Sequence, residues 1–476
     1  MPVMYDIFSC CLFIRTYSRT TMATHSNSSF LLHLSFIINA VYIAVSQPFI
    51  GVNYGQVADN LPAPEASAEL LKSTTVGKVR LYGADPAIIK ALANSGIGIV
   101  IGVANGDIPS LASDPDSATQ WVNANVLPHY PESNITMIAV GNEIMSSGDD
   151  GLVSQLLPAM QNVQNALNSA SLGGKIKVST VHSMAVLTQS EPPSAGSFDP
   201  GLMDILQPLV AFLKNNESPF AINPYPFFAY QSDPRPETLA FCLFRPNSGR
   251  VDQISGKVYS NMFDAQSALR RMGFEEMEIV IAETGWPSRG DRDEAGATVE
   301  NARAYNGNLI AHLRSMVGTP SMPAKSVDTF IFALYDEDLK PGPPSERAFG
   351  LFKTDLTMAY DVGLHNSASI HKNPPTSPVT PERETQWCIP KMEVSEAELQ
   401  RNIDYICGSQ VIDCGPIQSG GACYEPNTVL SHAAFAMNLY YQNFGRNPWN
   451  CDFSQTAMLT SQNPSYSDCV YPGGSI

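Results

Sequence analysis

The chain has 476 residues and a formal net charge of −17, from 28 Lys and Arg against 45 Asp and Glu. Single hydrophobic cores stop growing at about 250 to 300 residues, so we expect one large domain and a smaller one. The negative charge and the lack of a Lys/Arg cluster argue against DNA, RNA or an anionic membrane as partners and favour a neutral substrate.

The first 46 residues predict an N-terminal extension followed by a secretory signal peptide. Residues 30–45 are apolar except for one His, one Asn and one Ser, and Ser46 completes a small-residue exit. This run suits a cleaved signal better than a membrane span. Residues 1–21 suggest an over-extended start before Met22 or, alternatively, a longer N-terminal region. The final YPGGSI is not a hydrophobic tail, so we expect a secreted protein without a membrane anchor.

Eight short apolar or β-branched runs follow, separated by seven segments with helical periodicity. The predicted strands are 49–55, 78–83, 98–103, 136–143, 175–182, 220–227, 278–283 and 329–338. The predicted helices are 62–74, 86–95, 114–130, 155–171, 204–216, 259–272 and 298–316. This alternation predicts parallel strands with crossover helices, and eight units predict an α/β fold of the closed (β/α)₈ TIM barrel type over 47–365. No GxGxxG or P-loop follows the first strand, so nucleotide binding has no support.

Two predicted strands, the fourth and the seventh, end in a glutamate: Glu143 and Glu283. In a TIM barrel the C-terminal strand ends share one face, and the active site lies there. Glycoside hydrolysis requires one protonated carboxyl and one ionised carboxylate, so the pair predicts this chemistry. The alternative for either glutamate alone is a structural ion pair.

Aromatic residues recur at the other strand ends and predict a sugar-binding rim. They are Tyr54, Tyr82, Tyr225, Phe227, Trp286 and Tyr335. The alternative for any single ring is packing at the barrel rim. The charged residues 336–340 and Glu346-Arg347 predict either a solvated loop or a network that binds sugar hydroxyls and tunes the two acids.

Residues 366–386 include the Pro/Thr-rich stretch NPPTSPVTPERE and predict an extended linker. Beyond it, residues 387–476 contain six cysteines, whereas only Cys242 lies between the signal and the linker. Six cysteines in a short secreted segment predict three disulfides, with the pairing left open. Zinc binding is the weaker interpretation because paired CxxC units are missing.

Six motifs, in order, resemble the plant glucan endo-1,3-β-glucosidases of glycoside hydrolase family 17. They are GVNYG (51–55), VRLYG (79–83), VGNE (140–143), NPYPFFAY (223–230), ETGWPS (283–288) and LYDEDLKPGPPSERAFGLF (334–352). The resemblance implies endo-cleavage of β-1,3-glucan with retention, Glu143 being the acid/base and Glu283 the nucleophile. It also implies a cleft lined by Asn142, Tyr82, Trp286, Glu337, Lys340 and Glu346. The rim residues Tyr54, Tyr225 and Phe227 complete the predicted substrate-binding set.

Two other functions use the same sequence features. Hydrolysis of mixed-linkage β-1,3-1,4-glucan needs the same two acids and a different cleft shape. The third hypothesis is a non-catalytic cell-wall β-glucan-binding protein. The presence of both carboxylates argues against it, because binding alone does not require them. The sixth predicted helix, near 261–269, is shorter than in the family by roughly five residues, a little over one turn, which predicts strain on the approach to Glu283.

The C-terminal region resembles the six-cysteine carbohydrate-binding module of family 43 through TQWCIP, GGACYEP, SHAAFAMNLYYQ and NPWNCDFSQTA. The resemblance implies β-1,3-glucan binding and the pairs Cys388–Cys451, Cys407–Cys414 and Cys423–Cys469. From the residues themselves we expect a mainly helical module in which Asn427 caps an amphipathic helix that runs to Gln442. The predicted buried side of that helix carries Ala434, Met437, Leu439 and Tyr441.

The expected partner is β-1,3-glucan, bound by a monomer without metal or cofactor, because acid/base glycoside hydrolysis requires neither. Asn134 and Asn216 begin N-glycosylation sequons, which fit a secreted glycoprotein.

Overall fold

The computed structural model describes residues 49–365 and 386–473, except for 246, 268–276, 315–317, 324–326, 392–393, 409–411, 445, 447 and 454–455. The predicted signal peptide and residues 366–385 of the predicted linker lie outside the described residues. The barrel and the cysteine module are both described.

Eight parallel strands close into a barrel. In chain order they are β1 (Ile50–Tyr54), β2 (Lys78–Leu81), β3 (Gly98–Val103), β4 (Ile135–Asn142), β5 (Lys177–Ser183), β6 (Phe220–Asn223), β7 (Ile279–Thr284) and β8 (Asp328–Ile331). They are rich in Ile, Val and Ala, which suits parallel strands covered on both faces. The first strand pairs with both β2 and β8 and so completes the ring. The predicted TIM barrel is confirmed.

Ten helices of the described barrel region lie between or after these strands. They are α1 (Pro64–Lys72), α2 (Pro86–Ala91), α3 (Ile108–Ser113), α4 (Pro115–Asn125), α5 (Asp150–Ser169), α6 (Met203–Asn215), α7 (Pro226–Ser232), α8 (Pro236–Cys242), α9 (Met262–Gln266) and α10 (Val299–Arg314). The side chains of Asp85, Asp114 and Asp149 cap α2, α4 and α5 by accepting backbone N–H groups.

Some predicted boundaries are wrong. The sixth strand ends at Asn223 and not at 227, because Pro226 opens α7 and proline suits the first turn of a helix. The eighth strand ends at Ile331, so the charged run 336–340 lies in a loop. Of the sixth predicted helix, the described part is α9, and residues 268–272 lie outside the described residues.

Alternate strand residues form two buried layers, as the two-residue period of a strand requires. One layer packs between the strands and the helices and includes Ile99, Ile101 and Ile281. The other fills the barrel interior with Val100, Met137, Ala139, Val181, Ala221, Val280, Ala282 and Phe330. The barrel is therefore a packed core, and its mouth is the place for chemistry.

The C-terminal module combines two helices, α11 (Glu396–Gly408) and α12 (Val429–Asn443), with the antiparallel strands β9 (Trp387–Pro390) and β10 (Ala457–Thr460). It contains the disulfides Cys388–Cys451, Cys407–Cys414 and Cys423–Cys469, which confirms the pairing that the resemblance implied. The remaining described cysteine, Cys242, is free and buried in the barrel.

The predicted cap of α12 is wrong by one residue. Thr428 caps the helix, and its side chain accepts the N–H of Ser431 at 3.2 Å. Asn427 instead donates its side-chain amide to the hydroxyl of Tyr424 at 2.7 Å. On the predicted buried side, Met437 and Tyr441 are buried, whereas Ala434 and Leu439 are partly buried.

Candidate active site

A cleft of about 900 Å³ lies at the C-terminal ends of the barrel strands. Its lining includes eight of the predicted site residues: Tyr82, Asn142, Glu143, Tyr225, Glu283, Glu337, Lys340 and Glu346. These residues come from the ends of four strands, β2, β4, β6 and β7, and from the loop after β8. The barrel thus brings into one cavity side chains that are far apart in the chain.

The carboxylate of Glu283 is buried and bonded on both oxygens. Arg80 donates to Oε1 at 2.7 Å, and the hydroxyl of Tyr225 donates to Oε2 at 2.9 Å. The side chain of Arg80 is 1 % exposed. The Nη1 that bonds Glu283 also donates to the carbonyl of Ala282 at 3.1 Å, and Nη2 donates to Oδ1 of Asn142 at 2.6 Å. The buried guanidinium compensates the charge of the carboxylate, and because it bonds Glu283 and Asn142 at the same time it holds both side chains in one orientation.

Both β4 and β7 contain a β-bulge next to the glutamate they carry, which directly follows β4 in one case and lies within β7 in the other. Between β7 and β8 the register shifts between Ile281 and Thr284, and between β4 and β5 it shifts between Ala139 and Asn142. Ala282 already faces the barrel interior, so strict alternation would turn Glu283 toward the helices. The extra residue of the bulge lets Glu283 face Arg80 instead.

Glu143 has a left-handed backbone, with φ of 56°. This conformation is rare for a residue with a side chain and costs about 1 to 3 kcal/mol, so it persists only where neighbours hold it. The N–H of Glu143 donates to the carbonyl of Val181 at 2.8 Å. The side-chain amide of Asn223 donates to its Oε1, also at 2.8 Å.

Burial raises the pKa of Glu143 above the usual range of a carboxyl, and the negative charge of Glu283 raises it further. The hydrogen bond from Asn223 opposes this shift because it favours the ionised form. A carboxyl with a raised pKa stays protonated to higher pH and can serve as a general acid.

Replacing Asn223 by Ala is expected to move the alkaline limb of the kcat/KM profile of β-glucan hydrolysis to higher pH. The hydrogen bond from Asn223 lowers the pKa of Glu143, so its loss raises that pKa and keeps the acid protonated longer as the pH rises. A pH series of initial rates with a soluble β-1,3-glucan measures the shift. An alkaline limb that moves to lower pH contradicts the argument.

Asn105, in the loop after β3, clamps the backbone of Asn142. Its Oδ1 accepts the Asn142 N–H at 2.8 Å, and its Nδ2 donates to the Asn142 carbonyl at 3.1 Å. Asn142 directly precedes the left-handed Glu143 and binds Arg80. The exposed Asn105 therefore positions the residues that connect the two acids.

The variant Asn105→Ala is expected to lower kcat about tenfold with little change in KM, since misplacing a catalytic group by a fraction of an ångström weakens the transition state more than substrate binding. Steady-state kinetics on β-1,3-glucan measures both constants. Asn123→Ala, an exposed position on the outer helix α4, is the matched control. Equal kcat values for both variants would rule out a positioning role.

The loop after β8 supplies a second charged group to the cleft. Oε1 of Glu337 accepts the N–H of Val57 at 3.0 Å, and Lys340 pairs with Glu346 at 3.0 Å. Burial raises the pKa of Glu337. Gly55 has no room for a side chain because the Glu337 carboxylate occupies that space, which explains the glycine that ends GVNYG.

Four of the six predicted rim aromatics do not reach the cleft. Tyr54 and Tyr335 are each 2 % exposed, and both hydroxyls lie 3.0 Å from the hydroxyl of Ser67 on α1. Trp286 and Phe227 are fully buried and pack on each other, and the indole N–H of Trp286 donates to the carbonyl of Gly296. The predicted substrate contacts of Tyr54, Phe227 and Trp286 are thus corrected, because these rings pack toward the helical layer.

Sequence reasoning missed Arg80, Asn223, Asn105 and Phe228. Phe228 lines the cleft and is 44 % exposed, unlike its buried neighbour Phe227. A signal existed for Arg80, because a charged residue inside the apolar strand β2 is costly unless it is paired. The others offered none, since a single asparagine or a second phenylalanine in an FF pair does not by itself indicate which way its side chain points.

The described part of the chain has no group of three or more His, Cys, Asp or Glu placed to hold a metal ion. Over the same residues no helix is long and apolar enough to cross a membrane.

A TIM barrel whose mouth presents a partly buried glutamate of raised pKa and a second, buried glutamate paired with arginine defines a glycoside hydrolase of the carboxylate-pair class. The chain belongs to glycosyl hydrolases family 17, whose family model matches residues 50–364. A second family model, the X8 domain, matches residues 386–458.

The chain is 67 % identical over 433 residues to glucan endo-1,3-beta-glucosidase 7 of Arabidopsis thaliana, covering 90 % of this chain and 85 % of that protein. It is 60 % identical over 460 residues to the glucan endo-1,3-beta-D-glucosidase of Olea europaea, covering 95 % of this chain and 100 % of that protein. These alignments extend across both the barrel and the module.

Among solved structures, the chain resembles CJP38, a beta-1,3-glucanase and allergen of Cryptomeria japonica pollen, with a TM-score of 0.63 and 43 % identity over 67 % of this chain and 99 % of that one. It also resembles one of two plant beta-glucan endohydrolases with distinct substrate specificities, with a TM-score of 0.61 and 35 % identity over 66 % and 100 % of the chains.

Proposed function

We propose that this protein is a secreted endo-acting hydrolase of β-1,3-glucan that retains anomeric configuration, with Glu143 as acid/base and Glu283 as nucleophile. The observation that carries the proposal is the contrast between the two carboxyls in one cleft. Burial and the negative charge of Glu283 raise the pKa of Glu143, whereas Arg80 compensates the charge of Glu283. The two similar proteins of Arabidopsis thaliana and Olea europaea are both named as glucan endo-1,3-beta-glucosidases, which supports β-1,3-glucan as the substrate.

In the first step Glu143 donates its proton to the glycosidic oxygen while Glu283 attacks the anomeric carbon. The bond to the leaving sugar breaks, and an α-linked glycosyl-enzyme forms. The ionised Glu143 then takes a proton from water, whose oxygen attacks the same carbon and releases Glu283. Two inversions restore the β configuration.

The residues that hold the two acids also serve this reaction. Arg80 and Tyr225 orient Glu283 before attack, so that little reorganisation is needed as charge moves off its carboxylate. Asn142, Glu337, Lys340 and Glu346 line the cleft where sugar hydroxyls bind, and Tyr82 and Tyr225 provide aromatic walls. Phe228 adds an exposed ring to the same cavity.

The first product tests the mechanism. Proton NMR of early laminarin digests is expected to show that the new reducing ends are β-anomers before mutarotation. Initial appearance of the α-anomer would overturn retention. Chromatography is expected to show a range of oligosaccharides, and glucose alone would exclude endo-cleavage.

Two further substrates separate the alternatives. Faster release of reducing ends from mixed-linkage β-1,3-1,4-glucan than from laminarin would reassign the substrate. If the protein binds insoluble β-1,3-glucan but releases no reducing ends from it, the hypothesis of a non-catalytic β-glucan-binding protein would be favoured.

The domain organisation proposed with this function is a signal region at 1–46, a catalytic domain at 47–365, a linker at 366–386 and a β-1,3-glucan-binding module at 387–476. Three disulfides in one small module support an oxidising, extracellular location such as the cell wall. The proposed enzyme is a monomer, a proposal supported by the two acids and the groups that bond them all lying on one chain.

A further inference from the structure

The cysteine module touches the side of the barrel at a defined set of atoms, which we term the docking contact. The hydroxyl of Tyr405, on α11, donates to the backbone carbonyl of Phe244, just after α8, at 2.6 Å. The side-chain amide of Asn450 donates to Oδ1 of Asn308, on α10, at 3.2 Å. Ala311, one turn further along α10, packs against the module core. Three points of contact thus join two segments of the barrel to two segments of the module.

The polar groups of the docking contact are buried and matched. Asn450 is 2 % exposed and Asn308 is 7 % exposed. Asn308 uses its amide nitrogen for the carbonyl of Leu243 at 2.9 Å, which leaves its oxygen to accept from the module. Buried amides are costly unless they are bonded, so this arrangement suits a permanent contact better than a passing one.

The module presents aromatic side chains beside these bonds. The ring of Tyr405 lies 6.0 Å from that of Tyr440, which stacks on Phe444 at 4.3 Å and meets Phe453 at 5.3 Å. Burial raises the pKa of Tyr405. Tyr440 of the module and Asp264 of the barrel raise that pKa further. Aromatic rings with a bonded hydroxyl are typical of the centres of stable interfaces.

On the barrel side of the docking contact, the backbone that accepts the Tyr405 hydroxyl is fixed by packing of the Phe244 ring. Phe244 has a left-handed backbone with φ of 55°, and its ring packs against Phe263, Tyr305 and His312. The carbonyl that Tyr405 binds is therefore held from behind by the barrel core. Burial lowers the pKa of the nearby Arg245, and the carboxylate of Asp452 in the module opposes that shift.

The docking contact lies away from the chemistry. Among the described residues that line the cleft, none belongs to α10 or to the module. The contact is on the outer helical layer, where it leaves the mouth of the barrel open to a polymer.

We propose that the module is docked on the barrel as a fixed part of the folded enzyme, through Tyr405 and Asn450 against Phe244, Asn308 and Ala311, and that the linker alone does not hold it. The occupant of this barrel surface is the module of the same chain. Whatever the module binds is then held at a constant position relative to the cleft. The docking does not depend on the proposed function.

The test uses the full chain with a protease site inserted within residues 373–384. All three disulfides lie inside the module, so cleavage leaves no covalent link to the barrel. After cleavage the two pieces are expected to co-elute in size-exclusion chromatography at about 1 µM, a concentration at which weaker contacts dissociate. Separate elution of two folded pieces would overturn the proposal, as would an uncleaved chain that elutes as a dimer joined through exchanged modules.

Two variants tie the result to the docking contact. Ala311→Arg places a long charged side chain against the module and is expected to separate the cleaved pieces. Val299→Arg adds the same charge to the first turn of the same helix at a position that is 40 % exposed, and its pieces are expected to stay together. Circular dichroism confirms that both variants are folded. Co-elution of the Ala311→Arg pieces would show that another surface holds the module.

A third variant, Tyr405→Phe, removes one hydroxyl and keeps the ring. It is expected to weaken the association of the cleaved pieces about fivefold, the effect of one buried hydrogen bond. An unchanged dissociation constant, measured by titrating labelled pieces, would remove Tyr405 from the proposal.

Discussion

Replacing Glu283 by Gln is expected to lower kcat on laminarin by about 10⁴-fold or more, because an amide cannot attack the anomeric carbon and no other group takes over a covalent step. Gln keeps the size of the side chain and can still bond Tyr225 and Arg80, so the barrel should fold. Release of oligosaccharides, followed by chromatography, measures the loss, and calorimetry is expected to show that laminarin still binds.

Glu278→Gln is the matched control for this variant. Glu278 directly precedes β7, is exposed and lies outside the cleft, so its activity is expected to stay within about twofold of the parent. Undiminished hydrolysis by the Glu283 variant would sink the assignment of the nucleophile.

Replacing Arg80 by Met is expected to lower both activity and stability. The change leaves the carboxylate of Glu283 buried without its cation, which costs about 3 to 5 kcal/mol of folding free energy when a buried pair is broken. Because Arg80 also orients Asn142, kcat is expected to fall about 10² to 10³-fold, as when one preorganised donor is removed. Urea denaturation and laminarin kinetics measure the two effects separately.

The control for Arg80 is Arg289→Met, which breaks the pair of Arg289 with Asp336. That arginine is 61 % exposed, so its loss is expected to cost at most about 1 kcal/mol and to leave kcat within about twofold. Arg80→Lys keeps the charge but has a single nitrogen in place of the two that bond Glu283 and Asn142, and an activity between those of the parent and of Arg80→Met is expected. Equal stability of the two methionine variants would contradict the role given to Arg80.

Much of the fold was predictable because its signals are local. Eight β-branched runs alternating with helical periodicity predict a TIM barrel, and the structure confirms it. The strand ends were less predictable, because Pro226 begins a helix only four residues after Ile222. The described part of the sixth predicted helix, α9, is short. The strand that follows it, β7, still pairs with both β6 and β8.

The candidate site shows where local reasoning stops. A glutamate at the end of an apolar run is visible in sequence, but the bulges that turn Glu143 and Glu283 into the cleft depend on pairing with other strands. Trp286 and Tyr82 are both aromatic residues near the end of a strand, so the sequence gives them the same prediction. Trp286 packs on Tyr305, whereas Tyr82 lines the cleft. Which side a ring faces is decided by the neighbours on that side.

The amino-acid sequence by itself determined the barrel, the two candidate acids and the cysteine module, because strand period, helical period and cysteine spacing act over short stretches of chain. Only the tertiary structure decided that Arg80 compensates Glu283, that Asn105 clamps Asn142, and that Tyr405 reaches Phe244. Each of these contacts joins residues tens to hundreds of positions apart. Their energies depend on burial, which exists only once the layers have packed.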